Sequence, residues 1–172
     1  LETLAGGLRL VTEPMTDVRS VTIGVWLARG SRHERDAESG IAHFVEHMVF
    51  RGSENFKDGE VVKYLESIGA GFGGHTNAYT SYDETVYMFD IPLHQSDTLV
   101  KSLTILSEFA SKSTFSKECL EIEKGVVLDE MRLRKSSSQG RRGEILTDLL
   151  LQDRAYGPRQ PIGLESVIKN CS

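Results

Sequence analysis

One stretch limits what this chain can fold into more than any other: His43-Phe44-Val45-Glu46-His47, inside a run from Ser39 to Met48. In a helix, His43 and His47 stand one turn apart on one face, a spacing at which two imidazoles can grip a single metal ion. Glu46 follows His43 by three residues and projects from nearly the same face, where a carboxylate can take a proton from a metal-bound water. Two histidines at helical spacing also occur on ordinary packed or exposed helices. The rest of the chain must therefore supply a third ligand.

The chain's 172 residues are about one domain's length, enough to bury a core without disulfide staples. A net charge of -5 and a pI near 5.6 argue against a general nucleic-acid or anionic-membrane binder. Cys119 and Cys171 are far apart and form no C-x-x-C pair, so they read as free thiols. No apolar run reaches the length of a membrane span. Leu1-Glu2-Thr3-Leu4 is neither an initiator Met nor a signal peptide, and Glu165 to Ser172 reads as an amphipathic helix that stops early. The expectation is a single domain, 1–172, from something longer.

Periodicity gives the order of elements. Leu8–Thr12 and Val18–Ala28 read as strands, the second alternating through Val21, Ile23, Val25 and Leu27. Charged Ser31–Ser39 reads as a loop, and the histidine helix runs from about Ser39 to Phe50, stopping near Gly52. Asp58-Gly59-Glu60 opens a second helix with Val61, Val62, Leu65 and Ile68 as its stripe, ending at Gly69. His75–Thr80 and Thr85–Pro92 form two strands joined at Ser81-Tyr82-Asp83-Glu84. Gln95–Ser111 and Ser116–Lys135 are helices, Ser136–Gly140 is a break, Glu144–Leu151 is a shorter helix, and Pro158 and Pro161 bracket a loop. This order suggests an α+β domain with helices packed on one face of a mainly antiparallel sheet. Trp26, Phe44, Phe50 and Phe72 read as core, and the basic group Arg132, Arg134, Lys135, Arg141 and Arg142 as a solvated inter-helix linker.

The third ligand should lie on the helix that opens near Ser116. Glu123 and Glu130 are seven residues apart, on one face with Val127 between them. Lys124, Arg132 and Arg134 surround these acids, so on the residues alone a solvated charged face is the better account of them.

Three blocks in order change that balance. They are Gly40 to Phe50, then Asn77-Ala78-Tyr79-Thr80-Ser81, then Glu121 to Met131. Together they resemble the pitrilysin/insulinase family of zinc peptidases, whose H-x-x-E-H motif inverts the order of H-E-x-x-H. The resemblance runs from Leu8 to Gly163. It implies the family's metallohydrolase fold, one zinc ion held by His43, His47 and Glu130, Glu46 as general base on a zinc-bound water, and Glu123 as a second acid supporting the site. It implies that the Asn77-Ala78 strand pairs with an extended peptide substrate, with His75 a weaker structural candidate. One departure is the 82 residues between His47 and Glu130, a few more than usual, with the surplus expected near residues 69–74 or before Ser116.

The implied reaction is peptide-bond hydrolysis by a zinc metalloendopeptidase. Members of the family are similar to a clamshell in which a later domain or partner subunit brings Arg and Tyr side chains to the substrate, so this chain alone is expected to bind zinc but cleave weakly. Two alternatives stay open. S-ribosylhomocysteine lyase shares the inverted motif but needs a catalytic cysteine, here Cys119, and its N-terminal pattern is absent. Non-catalytic partner subunits of peptidase complexes resemble the family too, but have generally lost ligands that this chain keeps.

Overall fold

The computed structural model describes residues 1–93, 97–151, 156–157 and 159–172. Its main sheet has three antiparallel strands in the order β3 (Ser20–Leu27), β5 (Thr85–Pro92), β4 (Thr76–Thr80). A two-residue ladder, β1 (Glu2–Thr3) with β2 (Arg9–Leu10), stands apart and is all that forms of the strand expected over Leu8–Thr12. The helices are α1 (Ile41–Met48), α2 (Glu60–Ser67), α3 (Thr98–Ser111), α4 (Lys117–Ser136), α5 (Ser138–Leu151) and α6 (Glu165–Asn170).

Strand β5 lies in the middle and organises the core. Its alternation sends Tyr87, Phe89 and Ile91 to one face, beside Val25, Ile23 and Val21 of β3 in register. That face is covered by Val61 and Leu65 of α2 and by Ile105, Leu106 and Phe109 of α3. The result is an α+β domain with helices on one face of an antiparallel sheet, as the periodicity suggests. A smaller apolar seam joins α1, α4 and α6 through Phe44, Met48, Val127, Met131 and Ile168. Cys119 and Cys171 are free thiols packed against this seam.

Several expectations need correction. Trp26 is 57% exposed and Phe72 50% exposed, whereas Phe44 is buried and Phe50 packs against the core. Strand alternation explains Trp26, which lies in a cross-strand row with Val86 and Tyr79 on the face that the helices leave uncovered. Phe72 rides on the glycine-rich turn before β4 and touches only the edge of the aromatic group, stacking edge-on with Phe50. The expected break over Ser136–Gly140 shrinks to Ser137, because its hydroxyl accepts from the Gly140 N–H and starts α5 at once. The loop over Ser31–Ser39 contains two short 3-10 turns, Ser31–His33 and Asp36–Glu38, and another, Val49–Arg51, extends α1. The expected helix start at Gln95 and the loop residue Pro158 lie outside the described residues. Among the described residues, no helix is long and apolar enough to cross a membrane.

The ligand helix α1 begins at an unusual junction. Gly40 has φ of 100°, a left-handed conformation that favours glycine, and Gly163 packs so tightly on it that a Cβ on Gly163 would meet the Gly40 Cα at 2.2 Å. The helix start is capped from a distance: the Glu34 carboxylate accepts from the N–H groups of Gly40 (2.8 Å) and Ala42 (2.6 Å). A carboxylate at a helix N-terminus satisfies orphan donors and complements the dipole. Burial nevertheless pushes the Glu34 pKa up, outweighing these two bonds.

Candidate metal centre

Helices α1 and α4 cross so that the two histidines meet one acid of α4. His43 Nε2 lies 3.5 Å and His47 Nε2 lies 3.4 Å from the same oxygen, Glu130 Oε2. Zinc ligands 2.0–2.1 Å from a tetrahedral centre sit roughly 3.3 Å apart, so this donor set fits the ion. Ligand atoms of His43, His47 and Glu130 lie within 4.8 Å of one another and are the group of three such atoms found among the described residues. Two imidazole nitrogens and one carboxylate oxygen are donors that zinc accepts.

Glu123 does different work. It is buried, and its Oε1 lies 2.8 Å from His47 Nδ1, on the side of the ring away from Glu130. Arg51 Nε donates to its other oxygen at 2.5 Å. The seven-residue spacing thus puts both acids on the side of α4 that meets α1, but at opposite nitrogens of one ring. A carboxylate behind a ligating histidine fixes the ring's tautomer and orientation.

Glu46 is also buried, and Thr80 Oγ1 donates to its Oε2 at 2.6 Å. Thr80 belongs to β4, two residues beyond Ala78 and on the same side of the strand. The backbone of β4 alternates in its commitments: His75 O accepts from Asp90 N and Ser81 N donates to Glu84 O, which places residues 75, 77, 79 and 81 in the ladder to β5. The main-chain groups of Thr76, Ala78 and Thr80 therefore point to the free edge. Those of Thr76 are already used, its N–H by Gly71 O and its C=O by Gly73 N. Those of Ala78 and Thr80 are not bonded at this edge among the described residues. Asn77, by contrast, has its backbone tied to Met88 and its side chain exposed on the opposite face from Ala78. His75 is exposed and outside the ligand group.

A cavity of about 760 Å³ runs from the site between α1, α2 and β4, lined by Glu46, His47, Phe50, Val62, Phe72 and Ala78 among others. Its apolar wall and charged mouth suit a side chain held beside a polar centre.

The metal-free electrostatics are divided between the two histidines. Burial pulls the His43 pKa down to about 4, with Glu130 offsetting only part of that. Burial also pulls on His47, but bonds to Glu123 and Glu130 outweigh it and lift its pKa to about 9. Glu130 is held down at about 2, first by His47. Burial raises Glu46 despite the Thr80 hydroxyl. A carboxyl with a raised pKa beside such a centre has the character of a proton acceptor tuned towards neutrality.

Cys119 lies one turn before Glu123 on α4 and outside the three-residue ligand group. The basic residues after Arg132 are engaged locally: Arg132 with Asp129, Arg134 with Glu130, and Arg141 with the carbonyls of Lys135 and Ser136. Sequence reasoning did not single out Thr80, Arg51 or Glu34. Thr80 was signalled only by lying on the Ala78 side of the strand, and the other two reach the site through contacts that no short spacing encodes.

A sequence model described as "Insulinase (Peptidase family M16)" matches residues 9–157. The chain belongs to this family. Within it, the chain is 40% identical over 141 residues to the zinc protease PQQL-like protein of Arabidopsis thaliana, covering 82% of this chain and 15% of the relative. It is 37% identical over 171 residues to the probable zinc protease PqqL of Escherichia coli strain K12, covering 96% of this chain and 18% of the relative. The crystal structure of the first half of the Escherichia coli periplasmic protease PqqL superposes with a TM-score of 0.85 at 35% identity, over 91% of this chain and 33% of that one. The chain thus spans less than a fifth of the length of these two curated relatives. M16 relatives named as zinc proteases fit the two-histidine, one-carboxylate donor set.

Proposed function

We propose that residues 1–172 are the N-terminal catalytic domain of a longer zinc metalloendopeptidase that hydrolyses peptide bonds in extended peptides or unfolded segments. The observation that carries this reading is the convergence of His43, His47 and Glu130 beside the buried Glu46 carboxylate and the open strand edge at Ala78. His43, His47 and Glu130 would hold the zinc, which would polarise a scissile carbonyl and lower the pKa of a water towards neutrality.

The protein groups then divide the work. Ala78 and Thr80 offer main-chain donors and acceptors to a peptide laid along β4, so an extended backbone is selected and its side chains alternate between solvent and the cavity. Glu46 accepts the proton of the attacking water at its carboxylate and passes it to the leaving amine. Thr80 holds Oε2 of that carboxylate, leaving Oε1 for the proton. Glu123 and Arg51 keep the His47 ring aligned. A C-terminal domain or a partner subunit completes the grip on the substrate, and the isolated chain is expected to bind zinc yet cleave weakly.

Metal analysis of the purified chain tests the reading. The wild type should carry one zinc per chain, Glu130→Ala should lose it, and Glu123→Ala should keep it with weakened affinity. A Glu130→Ala chain that retains zinc while Glu123→Ala loses it would exchange the two acids. A wild type that takes up none would remove the zinc centre altogether.

A further inference from the structure

Arg134 stands one turn after Glu130 on α4. Its Nε and Nη2 both donate to a single carboxylate oxygen, Glu130 Oε1, at 3.0 and 2.7 Å. The other oxygen, Oε2, is the one that faces both imidazoles. A guanidinium usually meets a carboxylate fork to fork, one nitrogen to each oxygen. Here the fork closes on one oxygen and leaves the other bare.

A neighbouring pair on the same helix shows what an ordinary surface contact looks like. In Arg132–Asp129 a single nitrogen makes the contact, and the two side chains are 70% and 69% exposed. The Glu130 side chain is 29% exposed and is drawn towards α1. Exposed helix pairs contribute little to stability, so the Arg134 contact is better explained by what it does to the carboxylate's direction.

We propose that Arg134 is a positioning residue: it occupies Glu130 Oε1 so that the metal receives Oε2 alone. A free carboxylate can present either oxygen or both, and a second oxygen would fill the position that a hydrolytic zinc site keeps open. Partners behind a ligand typically change metal affinity 10–100-fold when removed. A lysine in this place would keep the charge and the helix pair, but supplies a point donor instead of a planar fork.

The inference rests on the zinc reading above, and the test separates the two. Zinc affinity is measured by chelator competition, and the visible spectrum is recorded for the cobalt(II)-loaded chain, whose band is intense when four-coordinate and weak at higher coordination. For Arg134→Met the expectation is zinc binding about 10–100-fold weaker and a bleached cobalt band. Arg134→Lys should keep the melting temperature of the metal-free chain at that of the wild type, while the cobalt band and zinc affinity stay shifted. Wild-type affinity and an unchanged band in Arg134→Met overturn the role of Arg134 and leave the zinc reading standing. Full recovery of both by Arg134→Lys overturns it as well, since charge alone would then suffice. A wild-type chain that binds no zinc overturns the zinc reading and this inference together.

Discussion

The two apolar clusters of this domain are built on different terms. The one under the sheet is built mainly of apolar side chains, with Tyr87, Phe89 and Ile91 meeting Leu65, Ile105 and Phe109, and the one acid buried on α3, Glu108, is held by Ser53 and Asn55. The seam between α1, α4 and α6 is half that size and has a roof of charges, with His43, Glu46 and Glu123 buried directly above Phe44, Met48 and Val127. Area removed from water stabilises the first. In the second, part of that gain offsets the desolvation of ionisable groups: Glu46 and Glu123 are hydrogen-bonded to Thr80 and to His47 and Arg51, while His43 Nδ1 has no hydrogen-bond partner among the described residues. Folding and chemistry thus draw mainly on different clusters, and the second should answer to pH and metal more than the first.

The largest expected effect breaks chemistry without touching either cluster. Glu46→Gln in a longer protein that includes the remaining domains should lower peptide turnover by about 10²–10⁴-fold while zinc content stays at one per chain. Full activity in that variant would remove Glu46 from the reaction.

Next in size, Phe89→Ala in the sheet-side core should cost about 3–5 kcal/mol in denaturant unfolding. Zinc affinity of the folded fraction should stay near that of the wild type. Met131→Ala in the seam should cost about 2–5 kcal/mol and also weaken zinc, because α4 carries Glu130. Equal effects of both variants on zinc would erase the distinction between the clusters.

Zinc is expected to act mainly on the seam. Excess at 100 times the dissociation constant should stabilise the chain by about 2.7 kcal/mol, read as a rise in the melting temperature. Hydrogen exchange should slow in α1 and α4 more than in β3. Uniform slowing over the whole chain would contradict the division.

The smallest effect is in pH, and it concerns the metal-free chain. His47 is raised from 6.5 to about 9, so its contribution is fully present below 6.5 and is lost as pH rises through 9. His43 is lowered from 6.5 to about 4, so the folded state loses stability as pH falls from 6.5 towards 4, where the unfolded chain takes the proton first. The two slopes have opposite signs and meet near 6.5, where the metal-free melting temperature should peak. Zinc should remove the fall above 6.5 and steepen the rise below it, since both rings are then held deprotonated while the unfolded chain still takes protons below 6.5. A melting temperature that climbs steadily from pH 6.5 to 9 without metal would sink the His47 assignment.

Much of the fold was legible because the patterns are local. Alternation marked Val21, Ile23, Val25 and Leu27 as one face of a half-buried strand, and helical spacing placed His43 and His47 on one face of a helix. Glu123 and Glu130 were legible as one face of α4 from their spacing. What spacing could not tell is which ring nitrogen each acid meets, because this depends on the crossing of α1 and α4. Trp26 was misread for a similar reason: alternation says that it faces away from Val25, but only the assembled layers say that nothing among the described helices covers that side. Glu34 escaped notice because it caps a helix from outside it, six and eight residues before the groups it serves. Arg134 was read as part of a solvated linker since its neighbours in sequence are charged, whereas its neighbour in space is a half-buried acid.

The turn at Gly71–Gly73 has a consequence for the protein before any peptide arrives. By bonding Thr76 it closes one end of the β4 edge and leaves a vacancy only from Ala78 to Thr80. An unsatisfied strand border invites other strands, including those of identical molecules, and long borders seed aggregates. This one is too brief to hold a neighbouring copy by backbone pairing alone. A strand that pairs here gains more if it also brings a side chain that fills the adjoining cavity.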